Sequence, residues 1–300
     1  MVEFSEQTVA IKVTPGKLAG SLLLPAQSTK PAIVLLIAGS GPTDRDGNNR
    51  LSGQSDNLKQ LAIHLANNGF ASLRYDKRGV GRSQTAGVAE QQLRFQTFVA
   101  DALAWANYLK QTAAFSQIFI LGHSEGGLIA IKACQQFQAA GLILLATPGR
   151  SLAEILAGQL KQQLASQPQL LQQSLQILAN LAVGRLVSTV PPELQVIFRP
   201  SVQPYLQSLL AFDSPVKLAQ LKLPILIVQG TADLQVSVAD AQLLKKAVPT
   251  AKLVVIEHMN HVLKIVDPAD RGNNLASYHQ PNRPLAGKLN QQLIAFLTAQ

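Results

Sequence analysis

One serine stands fenced by glycines in the stretch FILGHSEGGLIA, residues Phe119 to Ala130, where Gly122 to Gly126 match G-x-S-x-G. A serine hydroxyl is a poor nucleophile near neutral pH, so chemistry at Ser124 requires a base to take its proton and a carboxylate to orient that base. Candidates for both follow along the chain. Asp233 stands just beyond the apolar run PILIVQG, and His258 and His261 stand just beyond AKLVVIE. They stand in the order serine, acid, histidine, each just beyond a different apolar run. Asp240 competes as the acid, but it lies inside the helical pattern Val238 to Val248 and faces away from the strand tip. Asp233 is therefore the expected acid. His258 abuts its strand end, whereas His261 lies three residues into the loop and folds back over the sheet, so His261 is the expected base and His258 is read as structural.

The flanking glycines have a steric reason. In a sharp strand-to-helix turn, a side chain at either position collides with neighbouring backbone. The same turn aims the first amides of the following helix, beginning with Glu125, at the place where negative charge develops during attack on a carbonyl. A second amide is expected from Gly39-Ser40-Gly41-Pro42 after the apolar run Ala32 to Ile37, with Ser40 as the donor. A phosphate loop fits that segment poorly, because Asp44 occupies the place of the last glycine of G-x-G-x-x-G and Asp46 adds further negative charge. The pair His258-x-x-His261 lacks a carboxylate at metal-site spacing, and no metal and no cofactor is expected.

These residues need a scaffold of strands that end where they stand. Thr8 to Val13 and Leu18 to Leu24 read as two strands of a hairpin. From Ala32 onward, apolar runs alternate with helical patterns: a helix from Leu58 to Asn68, the strand FASLRYD, the glycine-rich loop KRGVGRS, a helix from about Ala89 to Gln111, the strand SQIFILG, and a helix from Gly126 to Gln138. GLILLAT follows as a strand. Later come PILIVQG, the helix Val238 to Val248, AKLVVIE and a closing helix from Leu285 to Thr298. Such alternation implies a mostly parallel sheet covered by helices on both faces, an α/β fold. Between Gly149 and Lys222 the pattern changes to leucine and glutamine at helical spacing, with Leu152, Ile155, Leu156, Leu160 and Leu164 on one face. The expected division is a core of residues 1–148 and 223–300 with a helical lid inserted at 149–222, above the carboxyl ends of the strands, where open parallel sheets bind ligands.

The chain of 300 residues is 47% hydrophobic, which supplies a large core. Its formal net charge is +9, yet no basic run exceeds two residues, Lys77-Arg78 and Lys245-Lys246. Basic residues are not interleaved with aromatics, so nucleic acid is not an expected partner. The single cysteine, Cys134, lies in an apolar helical stretch and reads as a buried thiol. No apolar run approaches the roughly 20 residues of a membrane span. The first ten residues carry Glu3 and Glu6 rather than a basic segment ahead of an apolar one, which favours a soluble cytoplasmic protein.

The stretches IAGSGPTDRDGN, RYDKRGVGRS, GHSEGG, GTADLQV and MNHVLK, in this order and at strand ends, resemble the α/β-hydrolase superfamily from Ala32 onward. The resemblance is to its bacterial esterase, thioesterase and serine-aminopeptidase-like branch, whose triad would fall on Ser124, Asp233 and His261. One departure is Ala38, where many relatives carry histidine before the oxyanion-loop glycine. The resemblance implies a helical cap at Gly149 to Lys222 and acyl transfer to water through an acyl-enzyme. A small-molecule carboxylic ester with an apolar, short-to-medium acyl or alcohol part is the expected substrate. The alternatives are an acyl-CoA thioesterase, an aminopeptidase-like amidase, and a non-catalytic binding protein on the same scaffold.

Overall fold

The computed structural model describes residues 3–26, 28–50 and 53–300, so Met1 and Val2 of the N-terminal stretch lie outside it. Among the described residues, eight strands form one sheet: β1 (Phe4–Lys12), β2 (Lys17–Pro25), β3 (Ile33–Ile37), β4 (Ala71–Tyr75), β5 (Ile118–His123), β6 (Gly141–Leu145), β7 (Ile225–Gly230) and β8 (Lys252–Ile256). Their order is β1-β2-β4-β3-β5-β6-β7-β8. The hairpin β1–β2 and the pair β2–β4 are antiparallel, and every later pair is parallel. Alternation within β3 shows why its five residues are all apolar: Ile33, Leu35 and Ile37 enter one core, Val34 and Leu36 the other. A strand buried on both faces has no polar side to display.

Helices α1 (Asn57–Asn67), α2 (Phe95–Thr112) and α3 (Glu125–Cys134) belong to the first half of the chain. The sequence pattern starts α2 near Ala89, but the helix begins at Phe95, after Leu93 and Arg94 in extended conformation. The Phe95 amide donates to Ser208 Oγ at 2.7 Å, a partner 113 residues away that no local reading reveals. Cys134 is a free buried thiol, pushed up to about 12 by burial.

Between β6 and β7 the chain forms α4 (Leu152–Gln163), α5 (Pro168–Ala182), α6 (Gln195–Phe198), α7 (Gln203–Leu210) and α8 (Ser214–Leu218). Proline at the start of α5, α7 and α8 is compatible with a first turn whose amides lack intrahelical acceptors. The leucine face of α4 is divided between two cores. Leu152 packs against the main one, whereas Leu160, with Leu156 and Leu164 beside it, joins Ile177, Leu181 and Phe198 in a separate cluster. The remaining helices are α9 (Val238–Ala247), α10 (Arg271–Ala276) and α11 (Gly287–Thr298). Among the described residues, no helix is long and apolar enough to cross a membrane.

Candidate active site

β5 ends at His123 and α3 begins at Glu125, which leaves Ser124 alone to make the turn, at φ 56° and ψ −125°. A non-glycine residue held there costs about 1–3 kcal/mol, which the packing around it must offset. That packing is close. A Cβ on Gly122 would lie 2.2 Å from the Gly126 carbonyl oxygen, and a Cβ on Gly126 would lie 2.3 Å from that of Ile37. Both positions of the motif are thus held to glycine by backbone that cannot retreat.

The serine meets the predicted histidine. Ser124 Oγ lies 3.1 Å from His261 Nε2, and His261 Nδ1 lies 2.9 Å from Asp233 Oδ2, although these contacts join residues 137 and 28 positions apart. All three side chains are buried or nearly so. Burial alone would raise the Asp233 pKa, but the His261 imidazole and the amides of Val236 and Gln235 outweigh it and hold the carboxyl below its ordinary value. Gln229 Nε2 donates to Asp233 Oδ2 at 3.0 Å as well. His258 is exposed, and its own amide donates to Thr231 Oγ1. Asp240 lies elsewhere, bound to Arg150, Ser237 and the Gly149 amide, with its pKa lowered to about 2; burial opposes that shift and these hydrogen bonds outweigh it.

His123 packs against His261. Its Nε2–H donates to the His261 carbonyl oxygen at 2.8 Å, and the two rings stand 5.0 Å apart. Burial first, and then the charge of His261, push His123 down to about 4, so it stays a neutral strut.

The loop after β3 lies against the serine, with the Cβ position of Gly39 3.2 Å from Ser124 Cβ. Among the described residues, the Ser40 amide has no acceptor. Lys77, which the sequence offers only as half of a short basic run, has a side chain 4% exposed. Its Nζ donates to the Gly39 carbonyl at 2.9 Å, meets Glu125 Oε1 at 3.3 Å and lies 4.6 Å above the Phe98 ring. Glu125 is therefore already engaged, and Tyr205 of α7 meets Phe98, the ring under the Lys77 ammonium, edge-on at 5.6 Å. The rest of RYDKRGVGRS is equally occupied. Asp76 holds Arg45 through both carboxylate oxygens, at 3.0 and 2.6 Å, and a Cβ on Gly81 would lie 2.6 Å from Asp76 Oδ2. Arg78 pairs with Asp101 of α2. The bonds from Asp76 to Arg45 and from Lys77 to Gly39 hold the loop that follows β3 beside the serine.

A pocket of about 270 Å³ opens at Ser124 and His261. Its other walls come from residues between 39 and 49, from Gly53, Ser55 and Asn57, and from Gln235, Val262 and Tyr278.

A family model described as serine aminopeptidase, S33, matches residues 48–267. Esterase EstD of Thermotoga maritima is 27% identical over 266 residues, which cover 87% of this chain and 60% of that relative. The chain therefore spans less than two thirds of that protein's length. Among solved structures, Est1E from Butyrivibrio proteoclasticus with ferulic acid bound gives a TM-score of 0.62 at 17% identity, covering 97% of this chain and 100% of that one. The esterase Pf2001 of Pyrococcus furiosus gives 0.61 at 16%, covering 99% and 91%. The shared architecture is the α/β-hydrolase fold.

Proposed function

From the premise that the chain belongs to the serine aminopeptidase, S33, family of α/β hydrolases, we propose that it is a serine carboxylesterase acting on small-molecule esters. The observation that carries this reading is the unbroken series Asp233, His261, Ser124 at a pocket, with the serine raised on a strained turn. The esterase named among its relatives supports ester over amide.

In the proposed reaction Ser124 Oγ attacks the ester carbonyl carbon as its proton passes to His261 Nε2. Asp233 holds the Nδ1–H tautomer and stabilises the imidazolium. The tetrahedral oxyanion accepts hydrogen bonds from the amides of Ser40 and Glu125, donors that need no reorganisation at the moment of attack. Collapse breaks the ester C–O bond, and the imidazolium protonates the departing alkoxide to give the alcohol. Water then adds to the acyl-enzyme, giving a proton to His261, and the second collapse releases the acid and restores Ser124. The helices α4–α8 we read as a cap, whose Tyr205 packs edge-on against Phe98 beneath the Lys77 ammonium.

Lys77 gains a positioning role in this scheme. In a trans peptide the carbonyl and the following N–H point in opposite directions, so an ammonium gripping the Gly39 carbonyl from behind turns the Ser40 amide forward. Lys77→Met is expected to lower kcat about 10²-fold, the scale of one misdirected oxyanion donor, with KM nearly unchanged. Glu125→Gln, which removes the ion pair and leaves the Gly39 bond, should lose much less. Steady-state kinetics on one aryl ester decides, and equal losses in the two variants would reduce Lys77 to an ion-pair partner.

The function itself is tested by a fluorophosphonate and an ester panel. Stoichiometric labelling that maps by mass spectrometry to the peptide holding Ser124, together with turnover of aryl acetate or butyrate, is the expected result. An unlabelled protein overturns the hydrolase reading. Cleavage of aminoacyl amides with every ester left intact would replace the esterase by an aminopeptidase.

A further inference from the structure

The leucine and glutamine pattern of residues 149–222 points to a hydrocarbon group under an apolar lid, yet the pocket at Ser124 is built from other material. None of its lining among the described residues comes from α4–α8, whose leucines face their own cluster or the main core. Its lining residues are mostly glycines and polar side chains, among them Gln235, Tyr278 and two histidines, with Pro42 and Val262 as apolar members.

Three polar groups there have unused hydrogen-bonding capacity. Asn57 is 1% exposed; its Oδ1 accepts the Leu58 amide, which leaves Nδ2–H without an acceptor among the described residues. Ser55 is 2% exposed and its Oγ has no partner among them, while its carbonyl is held by the buried Lys264 ammonium. The Tyr278 hydroxyl accepts from Gln235 Nε2 at 3.1 Å and keeps its own proton to donate. Neither Asn57 Nδ2 nor Ser55 Oγ is walled off inside the protein, and both residues line this pocket. Burying such groups against hydrocarbon would forfeit their hydrogen bonds.

We infer that the pocket selects a compact oxygen-bearing group next to the scissile ester, a hydroxylated acyl chain or a polyol, over a plain hydrocarbon of the same length. The inference rests on the esterase reading above. With about 30 Å³ for each water-sized unit, the chamber holds a group of under about ten non-hydrogen atoms. Asn57 and Tyr278 donate to its oxygens, and Ser55 either donates or accepts.

The test compares matched substrates: phenyl 3-hydroxybutyrate with phenyl butyrate for the acyl side, and glycerol monobutyrate with butyl butyrate for the alcohol side. In at least one pair the hydroxylated ester is expected to lead in kcat/KM by about tenfold, the value of one neutral hydrogen bond. That ratio should fall about tenfold in Ser55→Ala or in Asn57→Asp, which keeps the Oδ1 acceptor and removes the donor. Which pair responds assigns the pocket to the acyl or the alcohol part. Turnover with the hydrocarbon ester equal or ahead in both pairs overturns the inference alone, as does a ratio unmoved by both variants. No turnover of any ester, with no fluorophosphonate label, overturns the esterase reading and this inference with it.

Discussion

Ser124→Ala is expected to lower kcat for ester hydrolysis by about 10⁶-fold, on the scale of removing a triad nucleophile. The only side-chain hydrogen bond that Ser124 makes among the described residues is to His261, and alanine fits the same space. The strained turn stays as it is, because alanine tolerates φ 56° no better and no worse than serine does. The melting temperature should therefore hold within a few degrees while turnover and fluorophosphonate labelling vanish together. A residual rate a few thousand-fold above water is still allowed, since the oxyanion amides and the pocket persist. Turnover above one per cent of wild type would place the chemistry on another side chain.

Asp233→Asn is expected to cost about 10⁴-fold in kcat. The carboxylate accepts from His261 Nδ1, Gln229 and two backbone amides. An asparagine amide group in that shell either opposes one of those donors or holds the imidazole in the tautomer that carries no lone pair at Nε2. Asp240→Asn is the matched comparison, because Asp240 is an equally buried carboxylate that never approaches His261. It should lower the melting temperature by weakening the Arg150 bridge and leave kcat within a few fold in the folded protein. If instead Asp240→Asn loses the greater share of kcat at equal stability, the acid has been misassigned.

Much of this arrangement is legible in the chain because it is dictated locally. Apolar runs bounded by turn formers set the strands, and glycine at 122 and 126 follows from a turn that has no room for a side chain. The glycine-fenced motif marks Ser124, strand ends mark Asp233 and the loop of His261, and the structure draws the three into one hydrogen-bonded series. What escaped the sequence depends on distant partners. Lys77 next to Arg78 has the appearance of solvated charge until a carboxylate 48 residues away and a loop carbonyl 38 residues away enclose it. The start of α2 is set by Ser208, and the leucines of α4 offered one stripe that two different cores divide between them. Periodicity says which face is apolar and leaves open what it meets. The polar lining of the pocket was hidden for the same reason, since Ser55 and Asn57 look like ordinary loop and helix-start residues.

The sheet order has a consequence for biosynthesis. In the proposed scheme the hydroxyl and the amides of Ser40 and Glu125 follow β3 and β5, while the carboxylate and imidazole follow β7 and β8. A growing polypeptide leaves the ribosome with its nucleophile in place but unarmed, and the proton acceptor emerges more than a hundred residues later. On that scheme reactivity is withheld from every incomplete chain until the second half of the fold has docked.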